Sequence, residues 1–391
     1  MSNLNSDCRT ILWSTALFVA VAACGSSGSV GAGGQNGSST GGTPGTGGTV
    51  NGTGGFGSGG PVGGAGGSGA GMGGRGGEAT GGTMGTGGAA TGGGSGGAET
   101  GGAAGASAGI SIGCGKTPTI PSSDYNNGHH IAITVGNMAR EYILNVPTNY
   151  DSSHPYKLVI AYHELNGNDD EMYRNQYYHL LPLANNTAIF VAPNGQQNNA
   201  TCTQAGGCGW PNPNNTDLAF ADALVAKIEQ TFCVDTARIF ATGWSFGGSM
   251  SYKTACERPL GGVANGYVRA IAVYSGSQLS GNCTPTKPVA YYASHGTADS
   301  VLCYDQTRAA GCTVGNGVSL AQNVSMANGC TFTTPTKVTS GNHVCTSMMG
   351  CMTGYPVEFC SFNGPHTPDP TDPGQRTSWE YQNVWDFLSQ F

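Results

Sequence analysis

Apolar and polar positions change period several times between residues 114 and 391, and each change marks an element. Residues 130–135 and 140–146 alternate with a period of two, as paired edge strands with one wet face do. Residues 157–162 and 188–192 instead run apolar without a break, the pattern of strands covered on both faces. Across 217–232 the apolar residues Leu218, Phe220, Ala221, Leu224, Val225 and Ile228 recur at helical spacing, with Thr216 or Asp217 as the cap. Residues 237–242 predict another strand, followed at once by a helix-compatible stretch over 249–256. Strands at 268–274, 289–293 and 356–362, with helices at 318–327 and 378–391, complete the series. Strand and helix alternate throughout. This predicts an α/β domain with a mostly parallel central sheet and helices on both faces, not an all-β sandwich.

The first 113 residues follow neither period. They hold most of the 68 glycines. Over 25–113 the only charges are Arg75, Glu78 and Glu99, so the segment lacks the apolar surface to offset its ordering entropy and reads as a disordered Gly/Thr/Ser-rich linker. As a Gly-rich coil it would span roughly 50 Å. Before it, Arg9, an apolar run over 11–23 and Val21-Ala22-Ala23-Cys24 read as a lipoprotein-type signal peptide, with cleavage before Cys24 and lipid attached there. An ordinary secretory peptide is the alternative. The expected organisation is therefore a signal over 1–24, a linker over 25–113 and one folded domain over 114–391.

A net charge of −7 with only 9% charged residues provides no basic field for nucleic acid and argues for an uncharged partner. Of 14 cysteines, Cys8 and Cys24 belong to the signal. The remaining even number predicts up to six disulfides and an oxidising compartment. With no C-x-x-C pair and no accompanying histidine array, no metal site is expected.

The chemistry centres on Gly243-Trp244-Ser245-Phe246-Gly247. The same G-x-S-x-G pattern surrounds Ser39, Ser95, Ser107 and Ser111, but only Ser245 has a strand before it and a helix after it, the setting of a nucleophile elbow. A serine hydroxyl needs an imidazole to take its proton and a carboxylate to fix that imidazole's tautomer. In the order Ser, acid, His, the loops after two later strands supply Asp299, in His295-Gly296-Thr297-Ala298-Asp299, and His366, in Asn363-Gly364-Pro365-His366. Asp305 and His343 are the rivals for acid and base, and His295 is expected to shape the acid's loop. An oxyanion hole needs two backbone N–H groups. Phe246 supplies one, and Leu165 or Glu164, in the loop after the 157–162 strand, the other. Trp210, Tyr162 and His163, with Tyr177 and Tyr178, are candidates to contact a phenolic or sugar ring.

These residues give the order of an α/β-hydrolase fold. Gly209-Trp210-Pro211-Asn212 followed by Asp217-Leu218-Ala219-Phe220, the run over 233–243 into the elbow, Gly296-Thr297-Ala298-Asp299 and Asn328-Gly329-Cys330 together resemble one family of carbohydrate esterases. It contains feruloyl esterases, acetylxylan esterases and polyhydroxyalkanoate depolymerases, and the resemblance covers about 114–391. It implies hydrolysis of carboxylic esters by Ser245, His366 and Asp299 without metal or organic cofactor. The family usually has His-Gly where this chain has His163-Glu164, and a Gly-x-Gly-His-Trp-Pro-like run where it has Asn363 to Pro368. The cysteine-rich build and low charge are most similar to feruloyl esterases acting on plant cell-wall xylan. A polyester depolymerase or acetyl esterase with the same triad is the alternative, and a non-catalytic polysaccharide-binding surface module is the reading outside enzymes.

Overall fold

The structure, a computed structural model, describes residues 109–197, 200–201, 208–262, 265–308 and 310–391. The signal segment, Cys24 and the linker up to residue 108 lie outside the described residues.

Nine strands form one sheet among the described residues. They are β1 (Ile131–Val135), β2 (Met138–Asn145), β3 (Tyr156–Tyr162), β4 (Ala188–Pro193), β7 (Val234–Trp244), β8 (Val268–Tyr274), β9 (Ala290–Gly296), β10 (Val344–Ser347) and β11 (Val357–Phe362). A separate two-stranded ribbon, β5 (Gln196–Gln197) with β6 (Ala200–Thr201), lies between β4 and β7 in the chain. The spatial order is β1-β2-β4-β3-β7-β8-β9-β11-β10. The steps from β4 to β11 are parallel, whereas β1, β2 and β10 pair antiparallel with their neighbours.

The unbroken apolar runs become the middle of this sheet because both faces are covered. Along β3 the side chains alternate: Leu158, Ile160 and Tyr162 enter one core and Val159 and Ala161 the other. The first core is closed by α3 (Thr216–Thr231), α4 (Phe246–Glu257) and α5 (Gly317–Ala327), through residues such as Leu224, Ile228, Met250 and Val324. The second is closed by α1 (Asp169–Arg174), α2 (Gln176–Ala184) and α6 (Glu380–Ser389), through Met172, Leu180, Trp385 and Leu388. Each fully buried aliphatic side chain contributes about 1.5–3 kcal/mol.

Every element expected from the periodicity is present, with ends moved by a few residues. Residues 169–184 were not expected to be helical. α1 is six residues long, and α2 carries Pro182 and opens on a left-handed turn with φ of 58, 56, 57 and 60° at Gln176, Tyr177, Tyr178 and His179. Neither length nor conformation leaves a helical period to read. Asn212, and not Thr216 or Asp217, receives the free N–H groups at the start of α3: its Oδ1 accepts from Asp217 and Leu218. Asp217 instead forms a fully buried ion pair with Arg140 at 2.9 Å, which ties α3 to β2.

Among pairs of described residues, five disulfides join Cys114–Cys233, Cys256–Cys283, Cys303–Cys312, Cys330–Cys351 and Cys345–Cys360, and Cys208 is also disulfide-bonded. The six cysteines between Asp299 and His366 thus pair among themselves. Ser111 and Gly113, just ahead of the expected domain start, already hydrogen-bond to Val234 and Glu229.

Candidate active site

The C-terminal ends of the parallel strands gather the loops that carry the proposed chemistry, as open α/β sheets do. β7 runs into Ser245, which adopts φ 56° and ψ −115°, a conformation that side chains other than hydrogen rarely tolerate. The turn closes because its flanks lack side chains. A Cβ on Gly243 would strike the backbone of Gly247, and one on Gly247 would strike the carbonyls of Tyr162 and His163. Ser245 donates its N–H to the Tyr274 carbonyl of β8 at 2.9 Å, and its own carbonyl accepts from Ser249, opening α4. The Phe246 N–H lies in the first turn of α4, where backbone donors have no partner within the helix and the dipole favours negative charge.

Asp299 and His366 meet. Asp299 is fully buried, and its Oδ2 accepts from His366 Nδ1 at 2.7 Å. Its Oδ1 accepts the backbone N–H groups of Val301 and Leu302 at 2.8 and 2.9 Å. Burial alone would raise this carboxyl, but hydrogen bonds from His295 and His366 outweigh it and hold Asp299 well below the usual carboxylate range. The acid therefore stays ionised. His366 Nε2 is buried and makes no hydrogen bond, while its ring lies 5.0 Å from that of Trp244, the residue before Ser245. Such a nitrogen is free to accept a proton.

The loop after β3 is held from below by His163. Its Nε2 accepts from the Gly195 N–H at 2.9 Å, so the proton resides on Nδ1, which donates to the Glu164 carbonyl at 2.7 Å. Burial pushes this imidazole down to about 4, so it remains neutral. Trp210 donates its indole N–H to the His163 carbonyl at 2.7 Å, and Gly209 makes room for the Phe246 ring. Glu164 folds its carboxyl back over Gly167, and Leu165 is 42% exposed at the tip. Burial, then the charges of Glu171 and Asp369, push the Glu164 carboxyl up to about 7.

That shift has a stability consequence. An unfolded glutamate releases its proton near 4.5 and the folded one near 7, so between those values the folded state binds more protons and stability falls as pH rises. Glu164→Gln is expected to leave stability unchanged at pH 4.5 and to raise it by about 1–2 kcal/mol at pH 8. Urea melts at the two pH values check this, and an equal gain at both would contradict it.

Three expected substrate contacts are corrected. Trp210, Tyr162 and His163 are 0, 1 and 0% exposed, with polar atoms engaged inside the protein, so they support the loop and do not face a ligand. Tyr177 and Tyr178 are buried as well; the Tyr178 hydroxyl bridges the Tyr162 carbonyl and the Trp244 N–H. The rivals lie elsewhere: Asp305 pairs with Lys337, and His343 with Asp372 while stacking on Trp379. His295, expected only to shape the loop, reaches Asp299 directly.

No protein-family model matches the chain. Feruloyl esterase D of Neurospora crassa is 34% identical over 297 residues, covering 73% of this chain and 92% of that protein. Feruloyl esterase C of Emericella nidulans is 35% identical over 285 residues, covering 69% and 90%. An acetyl xylan esterase from Aspergillus awamori, a solved structure, is 15% identical with a TM-score of 0.47, covering 66% of this chain and 98% of that one.

Proposed function

This chain belongs to the feruloyl esterase family and is a carboxylic ester hydrolase; from that premise we propose that it cleaves feruloyl esters on plant cell-wall xylan through Ser245, His366 and Asp299. The observation that carries the site assignment is the buried Asp299–His366 pair beside the elbow. In this reading the Ser245 hydroxyl attacks the ester carbonyl while His366 Nε2 takes its proton, and Asp299 holds Nδ1–H and balances the imidazolium. The charge that develops on the carbonyl oxygen is met by the Phe246 N–H and by an N–H from Glu164 or Leu165. His366 then returns the proton to the departing sugar oxygen, leaving the feruloyl group esterified to Ser245. Water, activated by the same nitrogen, releases it. No step calls for a cofactor.

An intact acid–base pair speaks against a purely binding module. The five disulfides support export. Cys24 would provide the lipid anchor, a reading that membrane retention of Cys24→Ser would remove. A substrate panel tests the specificity: methyl ferulate and feruloylated arabinoxylan should be cleaved at least about tenfold faster, by kcat/KM, than acetylated xylan or polyhydroxybutyrate. Preference for acetate or hydroxybutyrate release would move the enzyme to the neighbouring specificities.

A further inference from the structure

Asp299 Oδ2 faces two imidazoles. His366 Nδ1 is 2.7 Å away, and Nε2 of His295, the penultimate residue of β9 before the acid loop, is 3.2 Å away. His295 is 1% exposed and closely confined. Its ring lies against Gly317 at the start of α5, where any Cβ would overlap the imidazole, and it meets the Tyr304 ring edge-on at 5.9 Å. Its Nε2 also approaches the Leu302 carbonyl at 2.9 Å. A carbonyl only accepts, so Nε2 carries the hydrogen, and one N–H is shared between Leu302 and Asp299.

We propose that His295 is a positioning residue of this active site, which fixes Asp299 Oδ2 and draws part of its negative charge away from His366. The proposal rests on the triad reading given above. Asp299 has no lysine or arginine partner among the described residues, so the two imidazoles divide its charge between them. Of the elements packed around His295, α5 brings Gly317 to the ring, and the Tyr304 hydroxyl is paired with Ser361 Oγ of β11. On the His366 side the neighbouring ring is the uncharged Trp244; Asp369, three residues beyond His366, is exposed and receives the Tyr381 hydroxyl. With the His295 N–H removed, the whole carboxylate charge would act on the imidazolium formed at His366, favouring the protonated base.

The test uses the full chain with His295→Phe, which keeps a ring but loses the N–H, and His295→Gln, which returns a donor near the Nε2 position. His295→Phe is expected to lower kcat about tenfold with little change in KM, and to move the acid limb of the kcat/KM profile upward by about half a pH unit. The low-field proton resonance of the His366–Asp299 bond should shift as well. His295→Gln should restore the limb and most of kcat. Activity lost in step with melting temperature in both variants, with limb and resonance unmoved, would reduce His295 to a packing residue. Ser245→Ala keeps the two readings apart: persistent turnover in that variant would remove the triad, while the resonance, which needs no turnover, still decides whether His295 acts on Asp299.

Discussion

Ser245→Ala is expected to reduce ferulate release from methyl ferulate by at least about four orders of magnitude while leaving the fold intact. The two halves of this expectation have separate grounds. Chemically, the hydroxyl is the atom that would bond to the acyl carbon, and nothing else at the elbow replaces it. Structurally, Ser245 is held through its backbone, by its N–H to Tyr274 and its carbonyl to Ser249, and alanine keeps both. The unfavourable φ of 56° is common to serine and alanine, so the melting temperature should move by no more than about 1 °C. A variant that folds normally and retains more than about 1% of the rate would show that the nucleophile lies elsewhere.

What could be read in advance from the chain, and what could not, follows from the range of the forces involved. The central strands were legible because burial on both faces leaves continuous apolar runs, and α3 because one face of a long helix meets one core. α1, α2 and β10 were not, since six residues, a left-handed turn and a four-residue edge strand leave no period. Ser245, Asp299 and His366 were proposed from loop order, which topology imposes, and the contact between Asp299 and His366 agrees with that order. The disulfide pairing depends on three-dimensional approach alone: Cys345 and Cys360 are directly opposed across β10 and β11, a register invisible in sequence. Trp210 and Tyr162 misled because an aromatic beside a motif invites a ligand role. Their indole and phenol groups are used instead to hold the His163 carbonyl and Thr254. The motif around Trp210 therefore reads as the scaffold of the loop above it. Glu164 was read as an oxyanion-loop candidate and as a departure from the family's glycine; its raised proton affinity was not legible, because it comes first from burial in the folded loop and then from the approach of Glu171 and Asp369.

Asp299→Asn should cost about 10⁴-fold in kcat, nearly as much as loss of the nucleophile, although it changes a single atom. The reason lies in the four hydrogen bonds around the carboxylate. Oδ1 accepts from the N–H groups of Val301 and Leu302, so the asparagine carbonyl must stay on that side; an amide NH₂ there would face two donors. The NH₂ is thereby turned toward His366 and His295, in the place now held by Oδ2. His295 keeps its hydrogen bond to the Leu302 carbonyl and cannot help. His366 can meet an NH₂ only by presenting a bare Nδ1, which moves its proton to Nε2, the nitrogen that has to accept the serine proton. The base is then present, correctly placed and in the wrong tautomer. Nitrogen-15 spectra should show Nε2 protonated in the variant and Nδ1 protonated in the parent, with little change in KM. A variant within tenfold of the parent would mean that His366 does not depend on Asp299 for its orientation, and the assignment of the acid would fall.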